Sequence, residues 1–193
     1  IASVTGLGQV PVIAGAGHDT ASAIAAVPAA DGNFAYLSSG TWSLLGIEQD
    51  RPALGEDAVN ANITNEGGID GTVRCLKNIT GMWLLEQCRA SWAAAGRSYT
   101  YPELQEMAER ESDFPSRINP DDPRFACPKD MDAEIRAALA GSGQVVPADD
   151  AQMVSCIYRS LADRYGEVLG MLRQFARFSI DRLHVIGGGS AND

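Results

Sequence analysis

The pattern of apolar and polar residues predicts strands mainly in the first part of the chain. The apolar run VPVIAGAG (10–17) ends in glycines, which predicts a buried strand followed by a tight turn. The alanine-rich stretch DTASAIAAV (19–27) predicts a helix. The segments 33–48 and 61–80 each predict two strands joined by a turn that contains glycine.

Helical spacing dominates the second part of the chain. The predicted helices cover about 80–95 with Thr80 as the cap, a short stretch from Pro102, residues 131–143 and about 149–178. The buried face of the longest helix is marked by Val154, Ile157, Leu161, Tyr165, Val168, Leu169 and Leu172. The proline-rich segment 113–128 is expected to be irregular but ordered, and 181–193 predicts a strand that enters a triple-glycine turn.

Composition and charge argue against several classes of function. The chain has 193 residues, of which 45% are hydrophobic and 21% charged, and this suits one globular domain. Its net charge of −10 and the lack of Lys/Arg clusters argue against a nucleic-acid surface. No apolar run approaches the ~20 residues of a membrane span, and no secretory signal is visible.

Cysteine usage and the chain ends add two expectations. The cysteines are far apart and form no CxxC pair, which predicts reduced thiols in a cytosolic protein, with one chance disulfide as the alternative. They are Cys75, Cys88, Cys127 and Cys156. The chain begins without methionine and stops at a glycine turn, so we expect a part of a longer protein, cut at both ends.

Three turns that contain glycine each follow a predicted strand. They are Gly15–Asp19, Ser38–Thr41 and Gly187–Asn192. Such a turn can aim backbone N–H groups at a phosphate without any basic side chain, although glycine also suits any tight turn. The chain contains neither GxxxxGK[ST] nor GxGxxG, so nucleotide binding requires another architecture.

Asp19 is the best candidate for proton chemistry. It stands where a glycine turn enters a predicted helix, whose dipole favours the anionic form, and a carboxylate can accept a proton from a hydroxyl. The alternative is a simple helix cap formed by Asp19 or Thr20, and the residues alone slightly favour it. His18 suits a turn, His184 suits a structural role in a strand, and we expect no metal site made from this chain alone.

Several sequence blocks together resemble the FGGY family of carbohydrate kinases. They are HDTASA (18–23), YLSSGTWSLLG (36–46), ANITNEGG (61–68), LKNITGMWLLE (76–86), INPDDPRF (118–125) and HVIGGGSAN (184–192), in the family's order. The resemblance implies an actin-like, RNase-H-like α/β fold, in which helices flank a mixed β-sheet. It also implies that residues 1–193 form most of the second, C-terminal domain, and that an absent N-terminal domain supplies the other half of the cleft.

The resemblance further implies an activity. FGGY kinases bind ATP and a sugar between two domains, so we expect ATP-dependent phosphorylation of a ketose in the cytoplasm. L-rhamnulose, which would give L-rhamnulose 1-phosphate, is the first expectation, with L-fuculose and D-xylulose as alternatives. Mg²⁺ would accompany ATP. A different class, a non-catalytic actin-like nucleotide-binding module, would share the glycine turns but would not need the HDT turn (18–20).

Roles follow from the resemblance position by position. Asp19 matches the catalytic base, which takes the proton of the attacking sugar hydroxyl. The sugar-binding set comprises His18, Asp19, Thr20 and Asn78. The ATP-binding set comprises Gly40, Thr41, Glu86, Gly187, Gly188, Gly189 and Asn192. No residue of this chain is assigned to a metal.

Overall fold

A mixed β-sheet forms the centre of the protein. The computed structural model describes residues 2–6, 8, 9, 11, 17, 19–29 and 31–191. Its strands are β1 (Phe34–Ser39), β2 (Trp42–Gln49), β3 (Thr64–Gly67), β4 (Val73–Thr80) and β5 (Arg182–Ile186). They lie in the order β3-β4-β2-β1-β5. All neighbouring pairs are antiparallel except β1 and β5, which are parallel.

Helices precede and connect the strands. They are α1 (Ala2–Thr5), α2 (Asp19–Ala25), α3 (Glu56–Asn60), α4 (Trp83–Ala94), α5 (Tyr101–Arg110), α6 (Met131–Gly141) and α7 (Asp150–Phe175). Short 3-10 turns occupy Ile69–Gly71, Pro123–Phe125 and Gly188–Ala191. The strand predicted over 10–17 lies almost wholly outside the described residues. No helix in the described part of the chain has the length and apolar character to cross a membrane.

The second half of α7 covers one face of the sheet. Leu37, Leu45 and Ile79, one from each central strand, pack against Val168 and Leu172 of this helix. Side chains alternate between the two faces along a strand, so the neighbouring residues point the other way. The predicted buried face of the helix is therefore confirmed where it meets the sheet.

The opposite face of the sheet is partly covered by α2. Ile24 is buried there against Tyr36 and Leu76. A helix of only seven residues covers little of a face, and Asn78 and Trp42, which lie nearer the β4 end and the β2 start, remain exposed. In the part of the chain that the structure describes, this face is therefore uncovered where β1 and β4 end.

A second core lies among the helices. The first half of α7 packs with α4, α5 and α6 around residues such as Trp92 and Phe125, which are 1% exposed. Trp83 packs against the same cluster, and its Nε1 donates to the Phe125 carbonyl at 3.3 Å. Trp92 is thus part of this core, and Trp83 lies partly buried against it. The four cysteines are free thiols, as the sequence predicts.

Three local predictions were wrong. Thr80 is the last residue of β4 and not a helix cap; α4 begins after Met82, which makes no side-chain capping bond. Asp19 and Thr20 are the first residues of α2 rather than residues that precede it. The longest helix ends at Phe175, and the chain becomes extended at Ala176, because the residues that follow pack beside the sheet on the way to β5.

Candidate active site

Three glycine-containing segments meet at one edge of the sheet. The parallel neighbours β1 and β5 end at the same edge, and β4 ends there too because β2 runs antiparallel to both β1 and β4. The segments are Gly40–Thr41 after β1, Gly81–Met82 after β4 and 187–191 after β5. In open α/β sheets, ligands bind beyond the carboxyl ends of strands. The strand topology thus assembles a candidate site from distant parts of the chain.

The 40–41 turn is held by the segment that leads into α4. The Met82 N–H donates to the Gly40 carbonyl at 3.0 Å, and the Trp83 N–H donates to the Thr41 carbonyl at 2.9 Å. A Cβ on Gly81 would lie 2.7 Å from the Gly40 carbonyl oxygen, so this close approach requires glycine. The N-terminus of α4, with its partial positive charge, consequently adjoins the turn and favours an anion there.

The 187–189 turn packs directly on the end of β1. Gly187 has a φ of +88°, and a Cβ there would lie 2.5 Å from the Ser39 carbonyl oxygen. A Cβ on Gly189 would collide with the Ser39 side chain, at 2.7 Å from its Cβ. Because Ser39 immediately precedes Gly40, the two glycine turns are in contact through a single residue.

These turns line a cleft with a volume of about 510 Å³. The lining residues are Gly40, Thr41, Met82, Glu86, Tyr101, Pro102, Gln105, Gly188 and Gly189. Five residues of the expected ATP-binding set therefore lie together. Gly187 lies beside the cleft against Ser39, and Asn192 is outside the described residues.

Glu86 is held in place at the wall of the cleft. Arg89 Nη1 donates to the two Glu86 carboxylate oxygens at 3.0 and 2.9 Å. The Tyr101 hydroxyl donates to Glu86 Oε1 at 3.0 Å. The Arg89 guanidinium also stacks over the Tyr101 ring, 4.5 Å from its centroid. These contacts fix the orientation of Glu86 and of the exposed Tyr101 ring relative to each other.

Sequence reasoning missed four residues of the cleft. They are Met82, Tyr101, Pro102 and Gln105. The last three lie on α5, whose start is signalled by the capping box of Thr100 and Glu103. The signal marks a helix, but it does not reveal that Tyr101, at the start of this helix, reaches Glu86 of α4. Arg89, which orients Glu86, was missed too, although it lies three residues after Glu86 on α4, a spacing at which helical side chains meet.

The expected sugar-binding residues lie apart from this cleft. Asp19 is exposed at the first turn of α2, and its Oδ1 accepts a hydrogen bond from the Thr20 N–H at 2.8 Å. Asn78 is exposed on β4 and shares a sheet face with Leu76, on which α2 packs. Asp19, Thr20 and Asn78 do not line the 510 Å³ cleft, and His18 is outside the described residues.

Buried polar groups anchor β2 and β4, two of the strands that lead to the cleft. The Ser43 and Tyr165 hydroxyls share a hydrogen bond of 2.7 Å, and burial raises the pKa of Tyr165. Lys77, which is 7% exposed, donates to the Ala61 carbonyl at 2.8 Å. Burial lowers the pKa of Lys77, and the nearby positive charge of Arg164 lowers it further. These groups link β2 and β4 to the elements around them.

The described residues contain no metal-binding cluster, and His184 makes a packing contact. Across the described ranges, no group of three or more His, Cys, Asp or Glu side chains has an arrangement that could hold a metal ion. His184 lies in β5 and packs edge-on against the Phe34 ring, with centroids 5.1 Å apart. This contact agrees with a structural role for His184.

The architecture is that of the actin-like ATPase fold. The chain is similar to two solved xylulose kinase structures, from Bifidobacterium adolescentis (TM-score 0.52, 17% identity) and Brucella ovis (TM-score 0.50, 15% identity). Each similarity covers 84% of this chain and 30% and 32% of those chains, respectively. Residues 35–193 match the C-terminal domain of the FGGY family of carbohydrate kinases, and the chain belongs to this family.

Similar curated proteins are longer than this chain. The chain is 55% identical over 193 residues to a rhamnulokinase of Bacteroides thetaiotaomicron, and the match covers 100% of this chain and 39% of that protein. It is 44% identical over 187 residues to a rhamnulokinase of Klebsiella pneumoniae, covering 95% of this chain and 37% of that protein. The chain therefore spans less than half the length of these relatives.

Proposed function

We propose that this chain is most of the C-terminal domain of an ATP-dependent kinase that converts L-rhamnulose to L-rhamnulose 1-phosphate in the cytoplasm. The observation that carries the proposal is the 55% identity over the whole chain to a rhamnulokinase. The cleft supports it, because Gly40, Thr41, Glu86 and the 188–189 turn meet at one site. An N-terminal domain of the same protein supplies the facing wall.

The proposal places ATP along the cleft. Backbone N–H groups of the 40–41 turn, beside the N-terminus of α4, hold phosphate oxygens. The glycine turn 187–189, with Asn192, holds the adenosine end, beside Glu86. Because glycine has no side chain, the nucleotide can approach the backbone closely at both turns.

Asp19 acts as the base in this proposal. Its carboxylate accepts the proton of the sugar hydroxyl while that oxygen attacks the γ-phosphorus of ATP, and ADP leaves. His18, Thr20 and Asn78 contact the sugar. The support is that α2, which begins with Asp19, and Asn78 share one open face of the sheet.

Mg²⁺ enters with the nucleotide. The ion prefers oxygen ligands and usually keeps several waters while it bridges substrate phosphates. When bound with ATP, it would supply positive charge that offsets the charge on the phosphate oxygens.

The decisive experiment uses Asp19→Asn in the full-length protein. A coupled assay of ADP release is run with L-rhamnulose, L-fuculose and D-xylulose, and sugar binding is measured by calorimetry. Turnover of L-rhamnulose should fall by about 10²–10⁴-fold, the usual contribution of a general base, while sugar affinity stays nearly unchanged. Asp50→Asn, in an exposed pair with Arg51, is the matched control.

Three outcomes would contradict parts of the proposal. Near-wild-type turnover of Asp19→Asn would make Asp19 only a helix-start residue. Faster turnover of L-fuculose or D-xylulose than of L-rhamnulose by the wild-type protein would change the substrate. Binding of ATP with no binding of any of the three sugars would favour a non-catalytic nucleotide-binding module.

A further inference from the structure

Asp121 connects two elements next to the 40–41 turn. It lies in segment 111–130, which joins α5 and α6. Its Oδ1 accepts a hydrogen bond from the Thr80 N–H at 2.8 Å, and its Oδ2 accepts one from Arg164 Nε at 2.8 Å. The side chains of Asp121 and Arg164 are 23% and 19% exposed. Both carboxylate oxygens of Asp121 therefore accept hydrogen bonds, and the site is largely buried.

The Thr80 N–H is close in the chain to the residues that hold the turn. Thr80 ends β4, and the next residues leave the sheet toward α4. Within them, the Met82 and Trp83 N–H groups donate to the carbonyls of the 40–41 turn. Gly81 packs so closely on Gly40 that little displacement is possible between the two segments. A bond that fixes Thr80 consequently fixes the position of the turn.

Helix α7 holds the other side of the turn as well. Arg164, which binds Asp121, is followed by Tyr165, whose hydroxyl bonds to Ser43 at 2.7 Å. Ser43 is the second residue of β2, the strand that follows the turn. Arg164 and Tyr165 are adjacent in α7. Arg164 thus holds β4 through Asp121, whereas Tyr165 holds β2 directly.

Segment 111–130 is itself firmly anchored. The Ile118 N–H donates to Ser160 Oγ of α7 at 3.0 Å, and the buried Phe125 accepts a bond from the Trp83 indole through its carbonyl. A positioning group needs such support, because its own orientation must be fixed before it can fix another. Asp121 meets this requirement.

The negative charge of Asp121 also balances positive charges that lie close to it. Arg164 and Lys77 are two cations close enough that Arg164 lowers the Lys77 pKa, whereas Asp121 raises it. Glu167, the other acidic partner of Arg164, is 65% exposed and contributes less in water. Loss of the Asp121 charge would leave two cations beside β4 with weaker compensation.

We propose that Asp121 is a positioning residue that sets the 40–41 turn for the phosphate groups of ATP. The proposal rests on the proposed function, because it assumes that this turn binds phosphate. It assigns to the sequence block INPDDPRF (118–125) a part in nucleotide binding, although Asp121 does not line the cleft.

The test compares two ligands in the full-length protein. Asp121→Asn keeps the shape of the side chain but has one acceptor oxygen, so it cannot serve both Thr80 and Arg164. Calorimetry with a non-hydrolysable MgATP analogue should show binding weakened by about 10-fold, the factor expected for one charge-assisted hydrogen bond. Adenosine, which has no phosphate, should bind with an affinity changed by less than about 2-fold.

Asp163→Asn is the matched control. Asp163 also links α7 to segment 111–130, through a 2.9 Å ion pair with Arg117 Nε, but it makes no bond to β4. This variant should bind both ligands as the wild-type protein does. If Asp121→Asn fails to fold, Arg164→Lys replaces it, because lysine keeps the charge and loses the planar Nε donor; it should weaken analogue binding more than adenosine binding.

The outcomes separate the two proposals. Failure of the wild-type protein to bind the MgATP analogue would contradict the proposed function itself. Normal wild-type binding together with an unchanged Asp121→Asn affinity would overturn only the positioning role. Equal weakening of analogue and adenosine binding by the folded variant would overturn it too, since that result indicates a general structural effect.

Discussion

Ser43 of β2 and Tyr165 of α7 share a hydrogen bond of 2.7 Å between their hydroxyl groups. Ser43 is fully buried, so the bond ties the long helix to the strand that follows the 40–41 turn without competition from water. Removal of either hydroxyl leaves the other one buried without this partner, which is the costly case for a hydrogen bond.

We therefore expect Tyr165→Phe to destabilise the full-length protein by about 1 kcal/mol. Ser43→Ala should cost a similar amount, and the double variant should cost less than the sum of the two. The measurement is a double-mutant cycle of free energies of unfolding in urea. Strict additivity of the two effects would show that the bond contributes nothing.

Neighbouring glycines in the 187–189 turn should respond differently to alanine. A Cβ on Gly189 would meet the buried Ser39 side chain, whereas a Cβ on Gly188 meets nothing within 4 Å. Gly189→Ala should lower stability by about 1–3 kcal/mol, the usual cost of overpacking, and Gly188→Ala should leave it nearly unchanged. Thermal unfolding of both variants tests the contact between the turns; equal melting temperatures would contradict it.

The glycines inside α7 have no close neighbour that requires them. A Cβ on Gly166 or Gly170 would meet no atom of the described residues within 4 Å. Gly166→Ala should therefore stabilise the full-length protein by up to about 1 kcal/mol, because alanine favours the helix and restricts the unfolded chain. Chemical denaturation measures the gain. A loss instead would indicate that another part of the protein packs on this side of α7.

Gly46 in β2 is the contrasting control for that measurement. A Cβ there would lie 2.5 Å from the Tyr36 hydroxyl and 2.7 Å from Leu76 Cβ, both in the buried face under α2. Gly46→Ala should consequently destabilise the protein, and the opposite signs at Gly46 and Gly166 separate packing from propensity.

The start of α5 should show a defined pH dependence. The Thr100 N–H and hydroxyl each donate to Glu103 Oε2 at 2.7 Å, and they hold the pKa of Glu103 below its ordinary value of 4.5. A carboxyl with a lowered folded-state pKa stabilises the protein above the ordinary value, and this contribution disappears as pH falls through the lowered pKa. The advantage of the wild-type protein over Glu103→Gln should therefore be complete at pH 7 and shrink below about pH 4.5.

Urea denaturation across this pH range measures that difference. Glu106→Gln, an exposed position on the same helix, serves as the control and should show no comparable change. An advantage of Glu103 that is the same at pH 3 and pH 7 would contradict an ionised capping box.

Local sequence patterns predicted most of the helices and strands, because turn residues and apolar spacing are local features of the chain. The Ser39-Gly40-Thr41 turn joins two apolar runs, and a hairpin of β1 and β2 results. The error at Thr80 has a tertiary cause: the residue pairs with Trp42 in the sheet, and its N–H is bound by Asp121, 41 residues away. No pattern near Thr80 contains that information.

The candidate site was predictable only in part for the same reason. The glycine turns were visible one by one, and the family resemblance grouped Gly40, Thr41 and Glu86 with the 187–189 turn. Their physical meeting depends on the parallel pairing of β1 with β5, strands about 150 residues apart in the chain. The side chains of Tyr101 and Pro102 reach the cleft through helix packing, and periodicity alone does not fix that packing.

Helix α7 is continuous over 26 residues and is about 39 Å long at 1.5 Å per residue. It contributes side chains to both cores. Its first half lies in the helical cluster and its second half on the sheet. If either core unfolds, apolar side chains of α7 become exposed. The other core depends on the same helix for its own packing. The two layers should consequently unfold as one cooperative unit, with amide protons in the two halves of α7 exchanging at similar rates under conditions of global opening.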